Sequence, residues 1–257
     1  MGLREHRAGV EAYVRNDIEL VRGLPDLTRV GPVYDDLSKH CRVLAGCALL
    51  LDADIDGFVD WLARSGHARV HLLRRRAEQP ALRNPHLAAS NADALFDVLA
   101  ARQLPIALQL ATLSPDTWWK GEEYEEDFLY AHFLLRHLRD PKAADLAAMV
   151  TELERATGNH EAARPRLCRA LLELNQGDFD EAFESLLDEH DEVLKEGRTH
   201  VWPDGKIELR IKEQLHIEAL AWLNLADAAG LSTQPEYRYC PASSRLPASR
   251  PSAPSVF

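Results

Sequence analysis

Leu171-Leu172-Glu173-Leu174-Asn175-Gln176-Gly177-Asp178-Phe179-Asp180-Glu181-Ala182-Phe183 reads as two helices meeting at a turn. Gly177 and Asp178 close one helix and cap the next. Asp178 to Glu181 has capping-box spacing, with Asp in place of Ser or Thr, and Ala182 is small enough for close packing. Apolar residues recurring every three or four positions predict one helix over about 161–175 and another over about 178–195, the latter with Phe179, Phe183, Leu186, Leu187 and Leu194 on its core side.

The same periodicity extends outward along nearly the whole chain. Val10, Val14, Ile18 and Val21 predict a helix from about Arg4 to Arg22, ended by Gly23-Leu24-Pro25. A second is expected from near Pro32, with Leu37, Cys41, Leu44, Ala48 and Leu51, and a third from Asp52–Asp56, which Gly66 is expected to break. Residues 78–90 read as a loop, and Asn91 as the N-cap of a helix with Leu95, Phe96, Val98 and Leu99. A short helix follows from Pro105 to near Leu113. The next, over about Gly121–Leu138, would place Tyr124, Phe128, Ala131, Leu135 and Leu138 on one face. Asp140-Pro141 caps a helix to about Thr157, and a single long helix is expected over about 205–229, closed by Gly230. The expected fold is all-α, an irregular array of about nine to eleven helices packed as α-hairpins. It would form one domain over 1–240, followed by a disordered Pro/Ser/Arg tail over 241–257.

Of the 257 residues, 46% are hydrophobic and 28% charged, an ordinary balance for a folded domain. The longest apolar run, Val43 to Leu51, is interrupted by Gly46 and is too short to span a membrane. The charged start Arg4-Glu5-His6-Arg7 has none of the apolar core of a signal peptide, so a cytoplasmic location is expected. Cys41, Cys47, Cys168 and Cys240 form no C-x-x-C pair and read as structural thiols.

Charge is uneven. The formal net charge is −11, yet residues 121–127 carry −5 and residues 173–196 carry −9, leaving the remainder at +3. Along 178–196 the acids have almost no basic partner within the helix, and like charges such as Glu184–Asp188 and Asp188–Glu192 stand four residues apart, which costs helix stability. Such surfaces repel nucleic acid and attract a basic partner. The candidate binding residues are therefore Glu122, Glu123, Glu125 and Glu126 in the first run and Glu184, Asp188, Glu189 and Glu192 in the second, joined by Trp118 and Trp119. Two adjacent indoles cannot both enter one core from a helix, so one is a candidate interface anchor.

Catalytic signatures are missing. There is no Gly-rich phosphate loop, since Gly205-Lys206 is followed by Ile207, and no G-x-S-x-G elbow. His160-Glu161-Ala162-Ala163-Arg164 begins like a zinc-protease helix but has Arg164 where the second His belongs. His67 and His71 share a helix face but have no nearby third ligand, and His132 and His137, five apart, point in different directions. No cofactor or metal is expected. Arg74-Arg75-Arg76, the one basic cluster, reads as a solvated face.

The 171–183 segment resembles the turn of a tetratricopeptide hairpin, but one unit does not make a solenoid. A second resemblance lies near the C-terminus. Leu215-His216-Ile217-Glu218-Ala219-Leu220-Ala221-Trp222-Leu223-Asn224-Leu225-Ala226, then Gly230-Leu231, then Glu236-Tyr237-Arg238-Tyr239-Cys240-Pro241 resembles the end of the immunity protein 49 family of bacterial polymorphic toxin systems. It covers about residues 205–245, with a looser match in helix order upstream. The related immunity family that protects against PD-(D/E)XK-type DNase toxins has a similar ending. The resemblance implies a helical, non-enzymatic cytosolic antidote. Such a protein binds and inactivates a toxin delivered by a neighbouring cell, through type VI secretion or a contact-dependent system, in bacterial competition. It carries over no contact residues. Tyr237, Tyr239 and Pro241 are expected to pack the chain end against the last helix. The alternatives are a tetratricopeptide-like scaffold or adaptor and a helical enzyme with an unrecognised carboxylate or His site.

Overall fold

A computed structural model describes residues 3–24, 26–158, 161–200, 206–252, 255 and 257. The expectations placed on His160 and on the helix start at Gly205 fall outside these residues. Among the described residues the regular structure is helical: α1 (Leu3–Gly23), α2 (Leu27–Asp52), α3 (Ile55–Ala77), α4 (Asp93–Ala100), α5 (Leu104–Leu113), α6 (Glu125–Arg139), α7 (Leu146–Thr157), α8 (Ala163–Glu173), α9 (Gln176–His200), α10 (Lys206–Lys212) and α11 (Ile217–Ala229). The bridges Lys120–Glu123 and Tyr237–Cys240 are isolated, and no strand forms among the described residues. Among the described residues no helix is long and apolar enough to cross a membrane. Neighbours in sequence pack as hairpins, α1 on α2, α2 on α3, α6 on α7 and α8 on α9, while α11 returns from the C-terminal end to lie against α4.

Local details differ from the sequence reading for reasons of tertiary packing. The second helix begins before Pro32, at Leu27, because the Asp26 carboxylate accepts from Thr28 N at 2.9 Å and caps it. The α9 cap is Asn175, whose Oδ1 accepts from Asp178 N, so the helix starts two residues ahead of Asp178. Asn91 does not cap α4; its Nδ2 donates to Asp35 at 2.8 Å. The expected 205–229 helix is two, because the chain leaves the helical path after Lys212 and the His216 amide donates to Tyr239 O at 2.9 Å.

Gly66 does not break α3. A Cβ placed there would lie 2.1 Å from Val98 Cγ1 and 3.0 Å from Ile106 Cγ2, so the missing side chain lets α4 and α5 pack directly on the helix. The local penalty of a mid-helix glycine, about 1 kcal/mol, is offset by that contact.

Two buried polar networks hold the helices together. Arg42 Nε of α2 donates to Asp97 of α4 at 2.7 Å, and Ser65 Oγ of α3 donates to the other Asp97 oxygen at 2.6 Å. Glu218 of α11 accepts from Tyr130 of α6 at 2.8 Å and from Arg164 of α8 at 2.8 and 2.9 Å, while Trp222 Nε1 donates to the Tyr130 hydroxyl at 2.8 Å.

The segment from Pro241, expected from composition to be disordered, has contacts in its described part. Ala242–Arg245 forms a 3-10 turn, and Arg245 donates to Asp227 at 2.9 Å. Ser249 donates to Asp56, and Ser252 to Gln103 at 3.0 Å.

Gly66→Ala forces the α3 crossing apart and is expected to destabilise by about 1–3 kcal/mol, as overpacked cores do. Gly9→Ala, at a helical site where an added Cβ meets nothing within 4 Å, is expected to stabilise by up to about 1 kcal/mol. Urea unfolding of the two variants checks the opposite signs.

Candidate functional site

The first acidic run lies in a turn before α6. Trp119 is buried, and its backbone N–H donates to Glu123 Oε1 at 3.0 Å; Glu123 Oε2 accepts from Ser90 N at 3.0 Å. Glu123 is therefore a staple between the turn and the 78–92 connection. Gly121, with φ of +90°, makes the reversal that brings Glu123 back to Trp119. Trp118 stays exposed, its indole N–H donating to Glu123 O at 3.2 Å. Helix α6 starts at Glu125, later than expected, so Tyr124 takes the N-cap position and is 75% exposed instead of facing the core. Glu125 pairs with Arg155 at 3.1 Å, whereas Glu122 and Glu126 are exposed and have no ion pair among the described residues. The first turn of α6 holds Glu125, Glu126 and Asp127, where the helix dipole favours negative charge.

On α9 the charge is less bare than its sequence implies. Arg238, from the turn after α11, lies 2.6 Å from Asp188 and 3.7 Å from Glu184, and also pairs with Asp191. Glu181 meets Arg166 at 3.3 Å, and Glu192 meets Lys195 at 2.6 Å. Tyr237 packs edge-on against Phe183 at 4.9 Å, and Tyr239 against His190 at 4.9 Å with its hydroxyl on Asp191. The Tyr-rich ending thus docks its side chains on α9, while the Tyr239 carbonyl accepts from the His216 amide at the start of α11. The hydroxyl of Tyr239 and the Arg238 charge hold the Asp191 carboxyl below its ordinary value.

The N-terminus of α8 joins the two runs. Arg164 reaches Asp127 of the first at 3.6 Å, and the Ala163 amide donates to Glu189 of the second at 2.9 Å. Beside this junction α2, α4, α8, α9, α10 and α11 enclose a cavity of about 460 Å³, open on one side, with Phe96, Ile211 and Leu215 among its apolar lining. Behind it Asp97 is fully buried; burial raises its pKa to about 6, with Arg42 opposing the rise. His190 and His216 stack there with ring centroids 4.0 Å apart.

Among the described residues no group of three or more His, Cys, Asp and Glu is placed to hold a metal. His71 Nδ1 is 2.6 Å from the Tyr34 hydroxyl, its ring stacks on Phe257, and burial lowers the pKa of both His67 and His71. His132 and His137 stack on Phe128 and Phe133 within α6. The Arg74–Arg76 cluster is not a solvated basic face. Arg74 donates to Gln109, Arg75 to the Val21 and Leu24 carbonyls, and Arg76 lies over the Trp119 ring at 5.2 Å. The four thiols are free and buried, and burial raises the pKa of each.

The sequence reading missed Tyr124 and Arg238. The glycine turn at 121 was a signal that α6 begins late and leaves Tyr124 outside; nothing local marks Arg238 as the partner of α9. In comparison with known proteins, a family model described as Immunity protein 49 matches residues 33–243. No curated protein and no solved structure matches the chain.

Glu123→Gln removes one of the two carboxylate oxygens that accept from the backbone amides of Trp119 and Ser90, and is expected to destabilise by about 1.5–3 kcal/mol, the range for hydrogen bonds to a charged group. Glu122→Gln, with no such partner, is expected to stay within about 0.5 kcal/mol of the parent. Equal midpoints for the two in thermal or urea unfolding would show that Glu123 is not structural.

Proposed function

We propose, from the fact that the chain belongs to the immunity protein 49 family, that it neutralises a cognate toxin by binding it directly and occluding its working surface. The family match over most of the chain is the observation that carries this reading. The protein performs no chemistry in it. The toxin arrives in the cytoplasm by type VI secretion or a contact-dependent route, and is basic; a nuclease, whose nucleic-acid groove must be positive, fits best.

The surface proposed for contact runs from Trp118, Glu122, Tyr124 and Glu126 to the outer side of α9, with Glu125, Glu184, Asp188, Glu189 and Glu192 contributing charge. Two observations support it. Trp118 and Tyr124 are large aromatics left exposed beside Glu122 and Glu126, the combination that supplies an anchor and a complementary charge. The α9 acids extend this potential past the α8 N-terminus. Glu123 and Trp119 stand behind the surface and shape it. Long-range attraction brings a cationic partner in faster and falls with salt, while the aromatic contacts govern how slowly it leaves. A tetratricopeptide-like scaffold is the second reading, supported by the α8–α9 hairpin alone.

Co-expression with the product of the neighbouring gene separates the two, because an immunity protein should rescue growth from a toxin encoded there. Glu122→Gln with Glu126→Gln, and separately Glu184→Gln with Asp188→Asn and Glu192→Gln, are expected to slow association about tenfold at low salt, with less effect at high salt, as steering charges do. If neither set slows association and parent binding ignores salt, the acidic surface is not the contact.

A further inference from the structure

Helix α3 has no solvent face over most of its length. Every residue from Ile55 to Leu73 is buried or half-buried, and Arg74 is the first exposed position. Helices α2, α4 and α5 pack on it. The half-buried positions Asp56, Asp60, Arg64, His67 and His71 recur at helical spacing and form one stripe. The segment beyond Arg245 returns to this stripe from 193 residues downstream. The Ser249 amide donates to Asp56 Oδ1 at 2.6 Å, and its hydroxyl donates to Asp56 Oδ2. Arg250 lies 3.7 Å from Asp56 and 3.5 Å from Asp60. The Phe257 ring stacks on His71 with centroids 5.5 Å apart. The order of these contacts along the segment is their order along the helix.

The two anchors match the reach of the chain between them. Asp56 and His71 stand fifteen positions apart, about 22 Å along a helix that rises ~1.5 Å per residue. The eight steps from Ser249 to Phe257 reach about 25 Å as extended or polyproline chain, a form that Pro247, Pro251 and Pro254 favour. The attachments also change character at Arg245. That side chain is 10% exposed and donates to Asp227 at 2.9 Å, to Thr233 and to the Gln234 carbonyl, next to the buried Ser244. Beyond it Leu246 is 51% exposed and Arg250 64% exposed, and Ser252 donates to Gln103 at 3.0 Å. The fit is loose: a cavity of about 270 Å³ remains between the segment and the α4–α5 turn, with Val59, Arg102 and Pro247 in its walls. Exposed ion pairs contribute little and weaken with salt. A segment held mainly by such contacts opens at far lower cost than the core.

We propose that the segment beyond Arg245 is a strap: it closes over the outer stripe of α3 as one unit held at both ends, and it opens, hinged after Arg245, while the helical array stays folded. Opening uncovers Asp56, Asp60 and His71, so the position of the strap decides whether α3 presents a face to solvent. Arg250 is the charged fastening near the hinge, and Phe257 is the apolar one at the far end, packed against the core. The strap is independent of the toxin reading, since none of its contacts involves the acidic surface.

Hydrogen exchange of the Ser249 amide in the full chain tests this, read against a synthetic peptide of residues 246–257 and against the amides of α11. The Ser249 amide is expected to exchange more slowly than in the peptide and faster than α11, and to speed up as salt rises to about 1 M while α11 keeps its rate. Arg250→Ala is expected to speed it by up to about fivefold, the range of an exposed ion pair. Phe257→Ala is expected to shift the His71 ring resonance and also to speed the distant Ser249 amide about fivefold, as losing a half-buried aromatic does. Each variant is compared with the peptide carrying the same change. Exchange at the peptide rate in the parent means a free segment and overturns the proposal. Exchange as slow as α11 and indifferent to salt means a part of the core and overturns it too. If Phe257→Ala moves His71 but leaves Ser249 unchanged, the contacts are separate and there is no strap. Equal acceleration of α11 in either variant shows that opening is not local, which is equally fatal.

Discussion

Glu218 is the carboxylate around which the C-terminal half of this protein is arranged. It sits in the first turn of α11, accepts a two-pronged hydrogen bond from Arg164 of α8, and takes a third bond from Tyr130 of α6. Tyr130 in turn accepts from Trp222, one turn along α11 and wholly buried. Such a network is stabilising when every member is satisfied and costly when one is removed, because the remaining groups cannot return to water. Three helices that share little local sequence logic are thereby fixed in register. On the other side of α11, Asn224 donates to the Leu99 and Ala100 carbonyls at the end of α4, and α4 is tied to α2 and α3 through Asp97. The cavity lies between these two networks, so its walls are set by polar geometry rather than by apolar packing alone.

How much of this the sequence discloses depends on how far apart the interacting residues lie. Helix existence and type follow from apolar spacing over ten or twenty residues, and that spacing is local. Tertiary partners are not. The run from Lys206 to Ala229 is helical by pattern throughout, yet the chain breaks after Lys212 because Tyr239 O is waiting for the His216 amide. Gly66 carries the same local signal as any helix-breaking glycine, and its use is decided by Val98 and Ile106 on other helices. The acids of α9 look unpartnered because Arg238 comes from fifty residues downstream of Asp188. Within the candidate surface, composition located both acidic runs and the tryptophan pair. It did not separate Glu123, which faces two backbone amides, from Glu122, which faces none.

The division of labour among these acids has a physical basis. A carboxylate aimed at backbone N–H groups keeps its charge but is fixed by short-range geometry, and turning toward a partner costs it those bonds. A carboxylate on an exposed face is weakly held, and its field reaches about a Debye length into solvent. Glu123 and Glu189 belong to the first kind, and Glu122 and Glu126 to the second. Concentrating −14 of formal charge in two short stretches of a chain of −11 leaves the remainder at +3, which does not attract a cationic partner, and so gives approach a direction.

The cap that Glu189 places on α8 carries one more consequence. The Ala163 amide has no acceptor within its own helix, as befits a first residue, and relies on a carboxylate borrowed from α9. Anything that drew that carboxylate outward would leave the amide open to water, and its proton would exchange with solvent deuterium faster than in the free protein. Most amides slow down when a complex forms over them. This one would do the reverse, giving the molecule a built-in indicator in which a single backbone position reports, by the sign of its response, whether Glu189 has changed partners.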